Sequence, residues 1–309
     1  AAMLSRMMVP EMERKGYNRA FAAAITAGGS LVTPIIPPGI ALIIYGLVAD
    51  VSIGKMFIAG LVPGLLCAVV LMFTVYLVAR KTNAKPSRES WPTGKEVVFS
   101  LGQAWPALFL IFAVVGGIRA NIFTPTEAGA VAVLIVLAIG FFIYREMRIS
   151  HVVKALGETA RATASVMLVI MASAALGWIF SMEHAGVAVA NFVTSLTENK
   201  YMFLLIINIL LLTLGMFLEG NAILLILVPL LKPVVEHFGI DPVHFGIIMI
   251  FNLSIGAFTP PVGTVMLLVC NITQVSVGNF FKQSLPLLAA LLLMLMLVTY
   301  IPAISLFLV

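Results

Sequence analysis

The chain has 309 residues, of which 61% are apolar and only 10% charged, and its mean hydropathy is +1.13. Soluble domains carry roughly 25% charged residues, so this composition excludes a disordered chain, a disulfide-rich scaffold and a conventional soluble enzyme. The net charge of +5 comes from residues in short loops between apolar segments, which argues against nucleic-acid binding. The composition therefore predicts an all-α membrane protein with several membrane-spanning helices.

The first half of the chain alternates apolar spans with charged connections. Residues 4–19 read as a helix end and a charged loop, so further residues are expected upstream of residue 1. Residues 20–49 are apolar but interrupted at Gly28-Gly29-Ser30 and at 33–39 (TPIIPPG), where proline and glycine stop a regular helix. The segments that follow are predicted as a span at 56–79, a polar stretch outside the membrane at 80–103, spans at 104–118 and 126–144, a charged amphipathic arm at 145–161 and an apolar stretch at 162–181.

The second half contains a predicted hairpin and another broken segment. A short apolar piece at 185–197 precedes segments 200–218 and 221–235, which only Glu219-Gly220-Asn221 separates. So short a connection favours a re-entrant hairpin that turns inside the membrane. Residues 243–272 are interrupted at Gly256 and at 259–263 (TPPVG), and residues 283–308 form the last span.

The loop charges predict the orientation of the chain. Fourteen of the 18 lysines and arginines fall on one side of the predicted spans and four on the other. Because cytoplasmic loops are enriched in lysine and arginine, the richer side is predicted to be cytoplasmic. The C-terminus is then periplasmic.

The two broken segments resemble each other. Residues 39–57 align without gaps to residues 263–281 at an offset of 224, with five of 19 positions identical. Upstream, Thr33-Pro34 corresponds to Thr259-Pro260, and Val9-Pro10 to Val228-Pro229. With the predicted orientation, one copy starts inside and the other outside, so the sequence predicts an inverted repeat.

Broken apolar helices in inverted repeats are typical of the binding sites of secondary transporters. A break inside hydrocarbon leaves backbone groups unpaired at a cost of several kcal/mol each, so it persists where it lines a site or packs on protein. Freed carbonyls suit a hard cation such as Na⁺, and freed N–H groups at helix N-termini suit an anion.

Four strings carry a specific resemblance to a known family. They are SLVTPIIPPGIALIIYGLVADVSIGKMFIAGLVPGLL, GIRANIFTPTEAGAVAVL, GMFLEGNAILLILVPLLKPV and IDPVHFGIIMIFNLSIGAFTPPVG. Together they resemble the large membrane subunit of tripartite ATP-independent periplasmic (TRAP) transporters, in family order and over essentially the whole chain. The family has further helices and the tip of a first hairpin before the position of residue 1.

The resemblance implies Na⁺-driven uptake of an organic acid, of the C4-dicarboxylate or the sialic acid class, through an elevator-type fold with two Na⁺ sites. It also implies two partners, a periplasmic substrate-binding protein and a small four-helix membrane subunit, separate or fused, and a place in the bacterial inner membrane. A Na⁺/organic anion symporter that needs no binding protein is the alternative. An intramembrane enzyme is disfavoured because the four histidines form no catalytic or metal motif.

The breaks and the resemblance together give the candidate site residues. The residues predicted to bind Na⁺ are Gly215, Gly256, Thr259, Pro260 and Val262 at one site and Gly29, Ser30 and Thr33 at the other. The residues predicted to contact the substrate are Glu219, Asn221, Pro38, Gly39 and Gly263. Glu127 is instead predicted to cap a helix, because Thr124-Pro125-Thr126-Glu127 has the spacing of a capping box.

The predicted domain organisation follows the breaks. Residues 1–16 end the first hairpin, residues 17–55 form the first broken helix of a transport domain, and residues 56–181 form scaffold spans with a cytoplasmic linker and an amphipathic arm. Residues 182–282 hold the second hairpin and second broken helix of the transport domain, and residues 283–309 form the last scaffold span.

Overall fold

A computed structural model describes residues 1–81, 93–120, 122–183, 188, 191, 195 and 197–309. These residues form helices and connecting turns, with no strand among them. By contacts the chain divides into two compact units, residues 1–87 with 179–309 and residues 88–178.

The first unit contains most of the helices. They are α1 (Ala2–Arg14), α2 (Arg19–Ser30), α3 (Ile40–Ala49), α4 (Ile53–Lys81), α8 (Lys200–Phe217), α9 (Gly220–His237), α10 (Pro242–Phe258), α11 (Thr264–Thr273), α12 (Val277–Tyr300) and α13 (Ala303–Leu306). Helix α10 is the centre of this unit, since nearly every residue along it is buried. The predicted breaks are confirmed, because α2 and α3 flank one and α10 and α11 flank the other.

The second unit contains three long apolar helices. They are α5 (Gly94–Arg119), α6 (Pro125–Ala138, continued by a π-helical turn at Ile139–Ile143) and α7 (Ile149–Met182), whose last residues belong to the first unit. The predicted capping box begins α6: Thr124 N–H donates to the Glu127 carboxylate (2.8 Å), and Glu127 N–H donates to the Thr124 hydroxyl (3.3 Å).

Length and composition make seven of the described helices candidates for crossing a membrane. They are α4, α5, α6 with its π-helical turn, the first part of α7, α8, α9 and α12. The structure agrees with the prediction of a polytopic helical membrane protein.

Three helix boundaries differ from those predicted. Helix α5 begins at Gly94 rather than 104, because Thr93 and Glu96 form a second capping box around charged residues that the sequence reading placed in a loop. Helix α7 is continuous where an arm and a separate apolar stretch were predicted. Helix α12 begins at Val277 rather than 283, after the N-cap Ser276. The predicted piece at 185–197 lies mainly outside the described residues.

The internal repeat is visible in the backbone as well as in the sequence. Helices α3 and α11 are both ten residues long and begin 224 positions apart. Each ends on a non-glycine residue with positive φ, Asp50 (φ 59°) and Gln274 (φ 54°), again 224 apart. The next residue's N–H then donates to the Gly46 carbonyl in one copy (2.9 Å) and the Cys270 carbonyl in the other (3.1 Å).

The helix contacts show how the two copies, α1–α4 and α9–α12, are arranged. Helix α1 packs on α11 as α9 packs on α3; α2 packs on α12 as α10 packs on α4; and α2 packs on α11 as α10 packs on α3. Such reciprocal contacts are those of a two-fold rotation. The copies are therefore related by an approximate two-fold axis within the first unit. The predicted opposite orientation in a membrane, and the division into transport and scaffold domains, stay predictions.

Candidate functional site

The two helix breaks have corresponding turns. Thr33 N–H donates to the Ser30 carbonyl (3.3 Å), and Thr259 N–H donates to the Gly256 carbonyl (3.0 Å). Each break also contains one cis peptide bond, Pro37–Pro38 in the first and Pro260–Pro261 in the second. The repeat alignment of Thr33 with Thr259 therefore holds in the backbone.

The α8–α9 hairpin is docked on the second break by its backbone. A Cβ atom built on Gly256 would lie 2.7 Å from the Cα and carbonyl carbon of Gly215, so α8 and α10 approach as closely as glycine allows. Gly263 N–H donates to the Met216 carbonyl (2.9 Å). The end of α8 therefore touches both sides of the second break.

Several oxygen atoms lie in and beside the second break. The buried Thr259 hydroxyl donates to the Ile255 carbonyl (2.7 Å), which leaves its oxygen lone pairs available. A Cβ on Gly263 would lie 2.7 Å from the Thr259 carbonyl oxygen and 3.2 Å from that of Ala257, so both carbonyls face this glycine. Hydroxyl and carbonyl oxygens are the ligands that hard cations prefer.

Of the residues predicted for this cation site, the structure brings Gly215, Gly256 and Thr259 together. Pro260 and Val262 lie in the five-residue break between α10 and α11. No cluster of three or more His, Cys, Asp or Glu side chains that could hold a metal occurs among the described residues. The donor set here is one of neutral oxygens, which suits a monovalent cation better than a transition metal.

The residues predicted for the other cation site are divided between two cavities. Gly29 and Thr33 line an apolar cavity of about 710 Å³ with Pro37 and Pro38. Ser30 lines a separate cavity of about 180 Å³, and its hydroxyl donates to the Ala27 carbonyl (2.7 Å). The set is therefore divided between the linings of two cavities, although Ser30 and Thr33 are joined in one turn by the bond from Thr33 N–H to the Ser30 carbonyl.

The smaller cavity, called here the central cavity, lies where both copies and the hairpin meet. Its polar lining comes from Ser30, Glu219, Asn221, Ser254 and Thr264. Residues in the first turns of three helices also line it, namely Ala41 in α3, Gly220 in α9 and Val265 in α11. Helix N-termini present unpaired N–H groups and partial positive charge. The N-termini of α3 and α11 have no side-chain cap and therefore favour an anionic ligand, whereas the Glu219 carboxylate already caps α9.

Glu219 and Asn221 shape the hairpin turn and line the central cavity. The Glu219 carboxylate accepts a hydrogen bond from Ala222 N–H (3.0 Å) and another from the Asn221 amide Nδ2 (2.7 Å). Glu219 thereby caps α9. Both residues thus form the hairpin turn and also line the central cavity.

The other residues predicted to contact substrate lie elsewhere in the breaks. Pro38 lines the larger apolar cavity. Gly39 and Gly263 are the N-cap residues of α3 and α11, and neither is among the residues that line the central cavity. The sequence reading missed Ser254 and Thr264, whose place beside the cavity depends on how the hairpin and the second copy pack.

Comparisons with known proteins decide the family. Residues 1–304 match the family described as the tripartite ATP-independent periplasmic transporter, DctM component. The chain belongs to this family. It is therefore the large permease of a TRAP transporter, a multi-pass protein of the bacterial inner membrane, and the predicted resemblance is confirmed.

Several curated TRAP proteins are similar to the chain. It is 39% identical over 309 residues to the C4-dicarboxylate TRAP transporter large permease protein DctM of Pseudomonas aeruginosa, with 99% of the chain and 71% of the relative covered. It is 38% identical to the sialic acid TRAP transporter large permease protein SiaM of Vibrio cholerae, with 100% and 72% covered. The isethionate TRAP transporter permease protein DctMQ of Oleidesulfovibrio alaskensis is 37% identical, with 99% and 48% covered.

Proposed function

We propose that this permease couples Na⁺ entry to the uptake of a small organic acid that a periplasmic binding protein delivers, together with a small membrane subunit. The observation that carries the proposal is the meeting of three helix N-termini and the C-terminal ends of α2 and α10 at the central cavity. The uncapped N-termini of α3 and α11 supply N–H groups for a carboxylate, and the C-terminal ends supply carbonyls for cations.

The size of the central cavity favours a C4-dicarboxylate over a sialic acid. Its volume is about 180 Å³, below the roughly 300–1,000 Å³ of pockets that hold drug-sized ligands. A four-carbon diacid is the smaller of the two candidates. The named relatives include transporters for both classes, so the choice rests on this volume.

The arrangement gives a mechanism for coupling the two ligands. Na⁺ at the Gly215–Gly256–Thr259 site would hold the end of α8 on the second break, and the same hairpin turn lines the central cavity. Ordering the turn raises the affinity for the acid, and by linkage the acid raises the affinity for Na⁺ by the same factor. A carboxylate in this apolar setting also gains from a nearby cation.

Transport in liposomes tests the proposal. The full complex, with its small subunit, is reconstituted and uptake of labelled succinate is followed under an inward Na⁺ gradient, with and without the binding protein. Uptake that needs both supports the proposal. Uptake with Na⁺ alone supports the binding-protein-independent symporter. Uptake of labelled N-acetylneuraminate but not of labelled succinate would overturn the substrate assignment.

A pair of threonine variants tests the cation site. Thr259→Val removes a buried hydroxyl that donates to its own helix, and we expect the Na⁺ concentration for half-maximal uptake to rise about fivefold or more. Thr273→Val is the matched control, because its buried hydroxyl makes the same kind of bond, to the Val269 carbonyl (2.7 Å), at the far end of α11. Equal Na⁺ dependence in both variants would exclude Thr259 as a ligand.

A further inference from the structure

A pair of buried amides joins the hairpin arm α8 to the broken helix α10. Asn252 of α10 is 0% exposed and Asn208 of α8 is 2% exposed, although their surroundings are apolar. The Asn252 amide Nδ2 donates to the Asn208 carbonyl oxygen (2.9 Å) and to its side-chain Oδ1 (2.8 Å). The Asn208 Nδ2 then donates to the Thr299 hydroxyl of α12 (3.0 Å).

These bonds lie on the same helix–helix contact as the candidate cation site. Asn252 precedes Gly256 by four residues, about one helical turn, and Asn208 precedes Gly215 by seven, about two turns. A shift of either helix by one residue would move it about 1.5 Å along its axis and rotate it by about 100°, which would break both Asn252 bonds. The amide pair therefore specifies which α8 residue faces Gly256.

The amide carries a cost that an apolar residue would avoid. The Asn252 Oδ1 atom is buried and has no hydrogen-bond partner in the described part of the chain. An unsatisfied buried acceptor loses its hydrogen bonds to water without replacement, and a leucine at this position would carry no such penalty. What Asn252 contributes in return is its two donated bonds to α8.

In the first copy of the repeat, the position of Asn252 is taken by a threonine. At the offset that aligns Thr33 with Thr259, the counterpart of Asn252 is Thr26, whose hydroxyl donates to the Ala22 carbonyl of its own helix (2.8 Å). A broken helix of this repeat therefore forms without a buried amide at this position.

We infer that Asn252 is a positioning residue for the candidate cation site. By fixing the register of α8 on α10, it sets where the Gly215 and Met216 carbonyls stand relative to Gly256 and Gly263. Its action on Na⁺ affinity rests on the proposed Na⁺ coupling. Its action on the docking of the hairpin turn is independent of that coupling.

The test compares two variants of the same hydrogen-bond chain in the full transporter. Asn252→Leu removes both bonds between α8 and α10. Thr299→Val removes the acceptor for Asn208 but leaves the Asn252 bonds in place, so it serves as the matched control for lost stability. The readouts are the thermal midpoint, the Na⁺ concentration for half-maximal succinate uptake, and hydrogen exchange of the peptide that contains the Gly263 amide.

We expect both variants to lower the thermal midpoint, but only Asn252→Leu to raise the half-maximal Na⁺ concentration, by about fivefold or more, and to speed Gly263 exchange. Equal Na⁺ shifts, or equal Gly263 exchange, in the two variants would overturn the inference. If the wild-type transporter shows no Na⁺ dependence, the proposed coupling fails, and Gly263 exchange alone decides whether Asn252 positions the turn.

A double variant covers the case in which Asn252→Leu folds poorly. Asn208→Leu with Asn252→Leu removes both buried amides together, so stability should recover towards wild type. We expect the altered Na⁺ dependence and Gly263 exchange to persist, because leucine packing does not specify a single register. If the Na⁺ dependence and the Gly263 exchange return to wild-type values together with stability, Asn252 has only a structural role.

Discussion

At Gly256, the broken helix touches the hairpin arm through backbone atoms alone. A methyl group there would lie 2.7 Å from the Gly215 Cα and carbonyl carbon, and neither is the flexible end of a side chain. Gly256→Ala must therefore push α8 away from α10 and weaken the bond from Gly263 N–H to Met216. We expect Na⁺-driven succinate uptake to fall about tenfold or more, since small displacements at a binding site have large effects.

Gly278→Ala is the control for this substitution. Gly278 lies in the first turn of α12, and a Cβ there would meet nothing within 4 Å. Alanine is also the better helix former, so uptake should stay at the wild-type level and the protein should be no less stable. Normal uptake by Gly256→Ala would show that the backbone contact can open without consequence.

At the scale of the helices, the sequence predicted the elements that depend on local chemistry. Both breaks follow from proline and glycine strings, and the cap of α6 follows from Thr124 and Glu127. The predicted start of α5 was wrong. Thr93 and Glu96 have the spacing of a capping box, but the charged residues nearby favoured a loop.

The sequence could not predict which faces meet. Asn208 and Asn252 are 44 residues apart, and each alone reads as a polar residue in an apolar helix. Ser254 and Thr264, which line the central cavity, likewise read from the sequence as isolated polar residues in apolar segments. Their roles depend on the contact between α8 and α10 and on the two-fold packing of the copies, which periodicity along one segment does not encode.

The caps at the ends of α3 and α11 give an element-scale prediction about stability. Gln274 adopts the left-handed conformation, which costs an L-residue roughly 1–2 kcal/mol and which glycine adopts freely. Gln274→Gly should therefore raise the free energy of unfolding of the purified protein by about 1 kcal/mol, even after the exposed bond to the Asn271 carbonyl is lost. The measurement is the thermal midpoint, which should rise.

Two further variants test whether the gain in stability comes from the backbone conformation. Gln274→Ala keeps the Cβ atom and loses the same side-chain bond, so it should bring no gain. Asp50→Gly, at the corresponding cap of α3, should bring a smaller gain, because aspartate tolerates this conformation better than glutamine. A gain for alanine equal to that for glycine would trace the effect to the side chain rather than to the backbone.

For the whole molecule, the two copies are related by an approximate two-fold axis, because the packing between them is reciprocal. The hairpin turn is docked on the second break, and residues of the first break line an apolar cavity of about 710 Å³.

The orientation of the two-fold axis relative to the membrane can be tested. An in-plane axis puts the copies in opposite directions across the membrane, and an axis along the membrane normal puts them in the same direction. The 14-to-4 distribution of lysine and arginine favours the first arrangement. Lys15 and His237 precede α2 and α10, the corresponding broken helices, and both are exposed.

Single cysteines at these two positions should therefore react from opposite sides. In cells with a permeabilised outer membrane, a membrane-impermeant maleimide should label His237→Cys at once, and Lys15→Cys only after the inner membrane is opened. The parent protein is the background control, because Cys67 and Cys270 are both buried. Labelling of both variants from the same side would mean that the copies run parallel, and the positions of the anion and cation sites relative to the periplasm would then have to be reassigned.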